Sequence, residues 1–150
     1  GNDTFVFASR ADTQSGFAGA NTTAANIDHI TDFIGNGAGT GDMIQLGLGA
    51  NAFGAALTFT AGTAATVTAV NVATAADFTA LAAAVQAFGL GGVASTNAAA
   101  RIYDVTVAAG ALAGHYLIVN DNVATIQDTD TFINVTGITG SLHASDFVFA

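Results

Sequence analysis

The sequence predicts a mainly β fold, either the end of a β-roll or β-sandwich-like sheets, with one amphipathic helix at about residues 75–88. Three observations lead to this prediction. Short segments rich in β-branched and aromatic residues recur, turn signals rich in Gly, Asn and Asp separate them, and one stretch has apolar residues at helical spacing. With 150 residues, the chain is long enough for a single domain with its own core.

The first half of the chain predicts short strands joined by polar loops. GNDTFVF at 1–7 indicates a turn followed by a strand, and the small, polar residues 8–26 indicate a long loop. NIDHITDFI at 26–34 places apolar residues among polar ones, and after a Gly-rich turn DMIQLGL at 42–48 forms a short strand. Residues 51–72 alternate Thr with apolar side chains, which is typical of exposed strands with one buried face.

The helix is predicted in TAADFTALAAAVQAFG, at 74–89. Thr74 is predicted to cap its start, Asp77 three positions later completes a capping box, and Gly89 ends it. Helical spacing places four apolar side chains on one face, where they can pack against a sheet: Phe78, Leu81, Val85 and Phe88.

The last third predicts an antiparallel sheet packed on that helix. Four short segments, RIYDVTV, HYLIVND, TFINVTGI and SDFVF, are rich in β-branched and aromatic residues and are separated by turn signals. Asp121 ends the second of these segments, and Asp128 and Asp130 lie between it and the third. Ordinary turn chemistry predicts that all three cap hairpin turns.

Composition narrows the classes of partner. All 11 acidic residues are Asp, and Arg10 and Arg101 are the only basic ones, which gives a net charge of −9. Such a chain cannot neutralise a row of phosphates, so nucleic acid is not predicted as a partner. No apolar run reaches the roughly 20 residues that cross a bilayer, so membrane insertion is not predicted either. The short Asp side chain caps turns or joins carbonyl oxygens around Ca²⁺.

GNDTF matches half of the nonapeptide G-G-x-G-x-D-x-U-x, in which Gly-rich turns and an Asp bind calcium while the apolar U residue points into a β-roll. With GNDTFVF, IDHITDF, GDMIQL, YLIVNDN and SDFVFA in that order, the chain resembles the C-terminal region of repeat-in-toxin (RTX) proteins, which type I secretion exports. The resemblance implies Ca²⁺ as the cofactor. Its carry-over to this sequence gives four metal ligands: Asp3, Asp28, Asp32 and Asp42.

The same resemblance implies a function for the apolar end of the chain. RTX proteins close with an acidic residue and several hydrophobic ones, which the type I exporter reads as an uncleaved signal. The residues that match are Asp146, Phe147, Val148 and Phe149. The residues alone allow a second interpretation, a last strand whose two Phe side chains fill the core. The two interpretations are compatible, one before export and one after it.

We therefore expect one domain, residues 1–150, that is the C-terminal part of a larger secreted or cell-surface bacterial protein. Residues 1–50 form a calcium-roll-like opening, and residues 51–150 form a sheet with one helix and the C-terminal tail. The expected function is non-enzymatic, in type I export and calcium-dependent folding. The alternative is a self-assembling structural subunit of an S-layer or surface filament that associates through its strand edges.

An enzyme is not predicted. SLHASD, at 141–146, holds the residue types of a hydrolytic triad, but side chains in one short extended segment alternate between faces and cannot form a relay.

The chain also departs from the RTX pattern, because it holds one partial repeat and has Gln45 where an acidic residue is usual.

Overall fold

The computed structural model describes residues 1–8, 27–35, 39, 41–47, 57, 59–88, 93–127 and 130–149. It confirms the predicted fold class, since these residues are mainly β and form two sheets and one α-helix. The strands are β1 (Thr4–Phe7), β2 (Met43–Leu46), β3 (Ala64–Thr74), β4 (Ala99–Ala109), β5 (Gly114–Val119), β6 (Thr131–Asn134) and β7 (Phe147–Phe149). The helix is α1 (Phe78–Ala87), and a single 3-10 turn (Ala144–Asp146) precedes β7.

The smaller sheet is parallel throughout and has the order β1-β2-β7. Its register pairs Phe5 with Ile44 and Ile44 with Phe147, so an apolar side chain of each strand lies at the same level. The three strands come from opposite ends of the chain. This sheet therefore ties the first residues of the described chain to the last ones.

The larger sheet has the order β3-β4-β5-β6. The strands β4, β5 and β6 are antiparallel neighbours, as predicted for the last third of the chain. By contrast, β3 pairs with β4 in parallel over nearly its whole length, and α1 lies between these two strands in the sequence. A parallel pair needs such a crossover connection, so β3, α1 and β4 form a β-α-β unit.

The larger sheet is buried on both faces, which explains the dense apolar sequence of β4. Ala100 and Ile102 pack with the smaller sheet in one core cluster, and Val105 and Val107 pack with α1 in the other. Successive side chains of a strand point to opposite faces, so one strand serves both cores. The described residues consequently form three layers, a parallel sheet, a mixed sheet and a helix.

The prediction for the helix is correct at three of the four positions of its core face and wrong at its start. Phe78, Leu81 and Val85 are buried, as their spacing predicts. The N-cap residue is Asp77, whose side chain accepts a hydrogen bond from the Ala80 amide, and not Thr74. Thr74 instead pairs with Ala109 as the last residue of β3, because the strand runs on to the position where the capping box was predicted.

Two further predictions need correction. Phe88 does not join the buried stripe, because the helix ends at Ala87 and the Phe88 side chain is exposed. SDFVF does not join the antiparallel sheet, since β7 lies in the other sheet and runs parallel to β2. The predicted helix stop at Gly89 and all but the first residue of the predicted loop at 8–26 lie outside the described residues.

Candidate functional site

An Asp precedes each strand of the parallel sheet. Asp3 stands before β1, Asp42 before β2 and Asp146 before β7. Because parallel strands begin at the same edge of a sheet, these three residues lie along one edge. This edge holds two of the four predicted calcium ligands and the acidic residue of the predicted export signal, and we call it the acidic edge.

Asp42 is the structural centre of the acidic edge. Its side chain is almost fully buried, one carboxylate oxygen accepts a hydrogen bond from the Asp3 amide at 2.8 Å, and the other accepts one from the Ile34 amide at 2.8 Å. The Asp42 amide in turn donates to the Ile34 carbonyl at 3.1 Å. Asp42 therefore joins three separate segments of the chain through backbone groups that would otherwise lack partners.

The other three predicted calcium ligands are exposed, and the structure does not gather them around one point. Asp3 accepts a hydrogen bond from the Met43 amide through its backbone carbonyl, and Asp28 accepts one from the Asn134 amide in the same way. Asp32 is exposed in the turn that follows. Within the described residues, no three His, Cys, Asp or Glu side chains form a group that could hold a metal ion. Calcium binding by Asp3, Asp28, Asp32 and Asp42 remains a prediction.

The calcium prediction and the structural role of Asp42 can be separated in one experiment. Calcium that binds only the folded protein should raise its stability by about 2.7 kcal/mol at a hundredfold excess over the dissociation constant. Asp42→Ala should lower the melting temperature in EGTA as well as in calcium, because each stranded amide costs about 1 to 3 kcal/mol. Asp32→Ala is the control, an exposed Asp whose loss should have no effect in EGTA. Identical wild-type melting curves in calcium and in EGTA would contradict the calcium prediction.

The predicted export signal lies in the core of the folded protein. Phe147 and Phe149 are each 6% exposed, Val148 is half-buried, and Asp146 is fully buried. The Phe149 ring contacts Phe59, with ring centroids 5.2 Å apart. The Asp146 carboxylate accepts a hydrogen bond from the His143 amide at 2.8 Å. The structure thus places the tail where the core-strand interpretation expects it.

The predicted turn caps are confirmed at two of three positions. The Asp121 carboxylate accepts a hydrogen bond from the Val123 amide at 2.6 Å. Asp130 is fully buried, and its two carboxylate oxygens accept from the Asp121 amide at 3.2 Å and the Gln127 amide at 2.9 Å. These are local carboxylate-to-backbone bonds of the kind that make Asp favourable in turns. Asp128 lies outside the described residues.

One polar pair was not predicted from the sequence. The His115 ring on β5 bonds the Asp104 carboxylate on β4, and both side chains are partly buried. The strand register pairs His115 with Thr106, so Asp104 is its diagonal neighbour two residues along. The predicted antiparallel pairing of RIYDVTV with HYLIVND already places Asp104 and His115 on neighbouring strands. Whether their side chains meet depends on the register of the pairing, which residue types alone do not specify.

Comparisons with known proteins identify no protein that is similar to this chain. No family model matches the chain, and neither the curated proteins nor the solved structures yield a match. In the part of the chain that the structure describes, no helix is long and apolar enough to cross a membrane.

Proposed function

We propose that this chain is the C-terminal module of a larger extracellular bacterial protein, and that it acts in type I export and calcium-dependent folding. The observation that carries the proposal is the parallel sheet, in which strands that follow an Asp stack in register and the C-terminal tail forms one of them. Stacked parallel strands that follow Asp-containing turns are the architecture of a calcium-binding β-roll. The resemblance of GNDTF and SDFVFA to RTX proteins supports the same function.

The charge of the chain supports an order of events. With 11 Asp and two Arg, the net charge is −9, so the unfolded chain repels itself. In a cytosol poor in calcium this repulsion keeps the chain loose, and outside the cell calcium neutralises carboxylates and favours the folded state. Because Phe147 and Phe149 are buried in the folded protein, the exporter would have to read the tail before the parallel sheet closes.

The test of the proposal is export of a passenger protein. A passenger fused ahead of Gly1 should appear in the medium of cells that carry the cognate type I exporter. Deletion of residues 145–150 should retain it inside the cells, and cells without the exporter are the control. Secretion of the fusion that lacks residues 145–150 at the normal level would contradict the proposal.

A second candidate function, a self-assembling surface subunit, is favoured by the edge strand β3. This strand has 11 residues, from Ala64 to Thr74, none of them charged, and within the described residues no strand pairs with its outer side. Long edge strands without charge are templates for pairing between chains. In a chain with a net charge of −9, β3 is also a strip along which two copies meet without opposing carboxylates.

The self-assembly candidate predicts that one lysine on β3 blocks association. Wild-type protein should associate as its concentration rises, whereas Asn71→Lys should remain monomeric, as measured by sedimentation velocity. Thr106→Lys is a matched control, because Thr106 is the exposed partner of Asn71 on the inner strand β4 and does not lie on the edge. A wild-type protein that stays monomeric at every concentration would exclude this function.

A further inference from the structure

The two edge strands of the larger sheet differ in what covers them. All four residues of β6 are buried, and Asn134 is bonded to the segment at 28–30. Its amide donates to the Asp28 carbonyl and its carbonyl accepts from the Ile30 amide, each at 2.9 Å. At the other end of the strand order lies β3, and within the described residues no strand pairs with its outer side. The described part of the larger sheet therefore has one open edge, which is β3.

Alternate residues of β3 present their backbone groups at this edge. The Ala64 amide donates to the Ala98 carbonyl, so the backbone groups of Ala64 point towards β4. In a parallel pair the amide and carbonyl of one residue point to the same side, and those of the next residue point to the opposite side. The odd-numbered residues therefore point outwards: Ala65, Val67, Ala69, Asn71 and Ala73. Within the described residues their amides and carbonyls form an unpaired row, which another β-strand can complete.

The charges near this edge allow a second copy of the chain to approach. None of the residues of β3 is charged, although the chain has a net charge of −9. The acidic residue of the neighbouring strand β4 is Asp104, which is the partner of Ala69. If two β3 strands paired, the two Asp104 residues would be three strand spacings apart, which is about 14 Å. This distance exceeds the Debye length of about 8 Å at physiological ionic strength, so their repulsion is largely screened.

An apolar groove continues the open edge into the helix layer. Its volume is about 330 Å³, and its lining joins residues 71–74 of β3 to Ala84, Ala87 and Phe88 at the end of α1. The Phe88 side chain is 53% exposed, although it is a large apolar group. A chain that pairs with β3 would come to lie beside this groove and would remove apolar surface from water in addition to pairing backbone groups.

We propose that β3 pairs antiparallel with β3 of a second copy, around a two-fold axis at Ala69, and that this pairing stops at a dimer. Ala69 is the middle residue of β3, so this register places Val67 opposite Asn71 and Ala65 opposite Ala73. All outward amides and carbonyls then pair in about ten hydrogen bonds, the number found in a typical protein interface. A two-fold contact uses the same surface of both copies, and the covered strand β6 leaves the sheet no second edge for growth.

This inference rests on the second candidate function, self-assembly through β3, and is independent of the export proposal. It names the partner of β3, a second copy of the same strand, and it limits what β3 alone can build. A filament or an S-layer would need a further contact elsewhere on the molecule, with the dimer as its building block.

Sedimentation velocity of the wild-type chain tests whether association stops at the dimer. We expect monomer and dimer across a range of concentrations, with no larger species at the highest one. Growth beyond the dimer would overturn this inference but would leave self-assembly as a candidate function. A chain that remains monomeric at every concentration would overturn both.

Cysteine substitutions test the direction and register of the pairing, since the chain has no Cys. On oxidation Ala69→Cys should form a disulfide-linked dimer, because directly opposed residues have Cα atoms about 5.5 Å apart, within the reach of a disulfide. Ala73→Cys is the matched control, an exposed Ala on the same face of β3. Its two copies would lie about 27 Å apart along the strands, so it should cross-link only when mixed with Ala65→Cys. A disulfide-linked dimer of Ala73→Cys alone, or none of Ala69→Cys, would overturn the proposal.

A second pair of variants tests the contact beside the groove. Phe88→Ser removes an apolar ring next to the paired edge, so the dissociation constant of the dimer should rise about tenfold or more. Val6→Ser is the control, because Val6 is 57% exposed but lies on β1 of the smaller sheet, and its loss should leave the dissociation constant unchanged. An unchanged dissociation constant in Phe88→Ser, or a larger effect of Val6→Ser, would place the contact away from this edge and overturn the proposal.

Discussion

Replacing Phe78 with alanine is expected to lower the free energy of unfolding by about 3 to 5 kcal/mol. Phe78 is the first residue of α1, is fully buried, and joins the helix to the larger sheet. Its ring contacts Phe132 and Tyr116 edge-on, with centroid distances of 5.2 Å and 5.9 Å. Alanine would leave a cavity between these two rings, and the aromatic contacts would be lost as well. Urea denaturation followed by circular dichroism measures the change.

Phe88→Ala is the matched control, because it removes the same side chain from the other end of the helix. Phe88 is 53% exposed, whereas Phe78 is not exposed at all. A substitution at such a surface position should change the free energy of unfolding by no more than about 0.5 kcal/mol. Equal effects of the two variants would mean that α1 is not anchored to the sheet through Phe78.

The sequence predicts those parts of the fold in which neighbouring residues decide the structure. The stripe of Phe78, Leu81 and Val85 identifies α1, and the turn signals between RIYDVTV, HYLIVND and TFINVTGI identify an antiparallel meander. In both cases the contacts are local, so periodicity and turn residues report them. The sequence misplaces the start of the helix because Thr74 fits a capping box locally, while its pairing with Ala109 is a long-range contact.

The strand pairings that build the candidate site are long-range, and residue patterns do not specify them. The sequence indicates that DMIQL and SDFVF are strands, but it does not indicate that Ile44 pairs with Phe147, more than 100 residues later. Likewise, the sequence does not decide whether an Asp side chain binds calcium or caps a turn. At Asp42 the choice depends on the Asp3 and Ile34 amides, which only the folded chain brings to its carboxylate.

The tail poses the question on which the proposed function depends, since a buried strand and an export signal occupy the same residues. Asp146→Asn is a poor probe of export, because Asp146 is fully buried and accepts a hydrogen bond from the His143 amide, so the substitution would also disturb folding. A better probe compares a substitution in the tail with a substitution elsewhere in the core that destabilises the protein equally. Phe149 and Phe59 offer such a pair, since their rings are in contact and Phe59 lies far outside the tail in sequence.

Phe149→Ala and Phe59→Ala should each lower the free energy of unfolding by about 3 to 5 kcal/mol, because each removes a buried ring from the same contact. If the tail is an export signal, their secretion should differ. Export precedes folding in the proposed order of events, so loss of stability in Phe59→Ala should leave the amount of secreted passenger unchanged. Phe149→Ala alters the signal itself and should reduce secretion strongly. The passenger assay with the cognate exporter measures both, and urea denaturation of the purified variants verifies that their stabilities match. Equal secretion of the two variants would contradict the signal interpretation and leave Phe149 with a structural role alone.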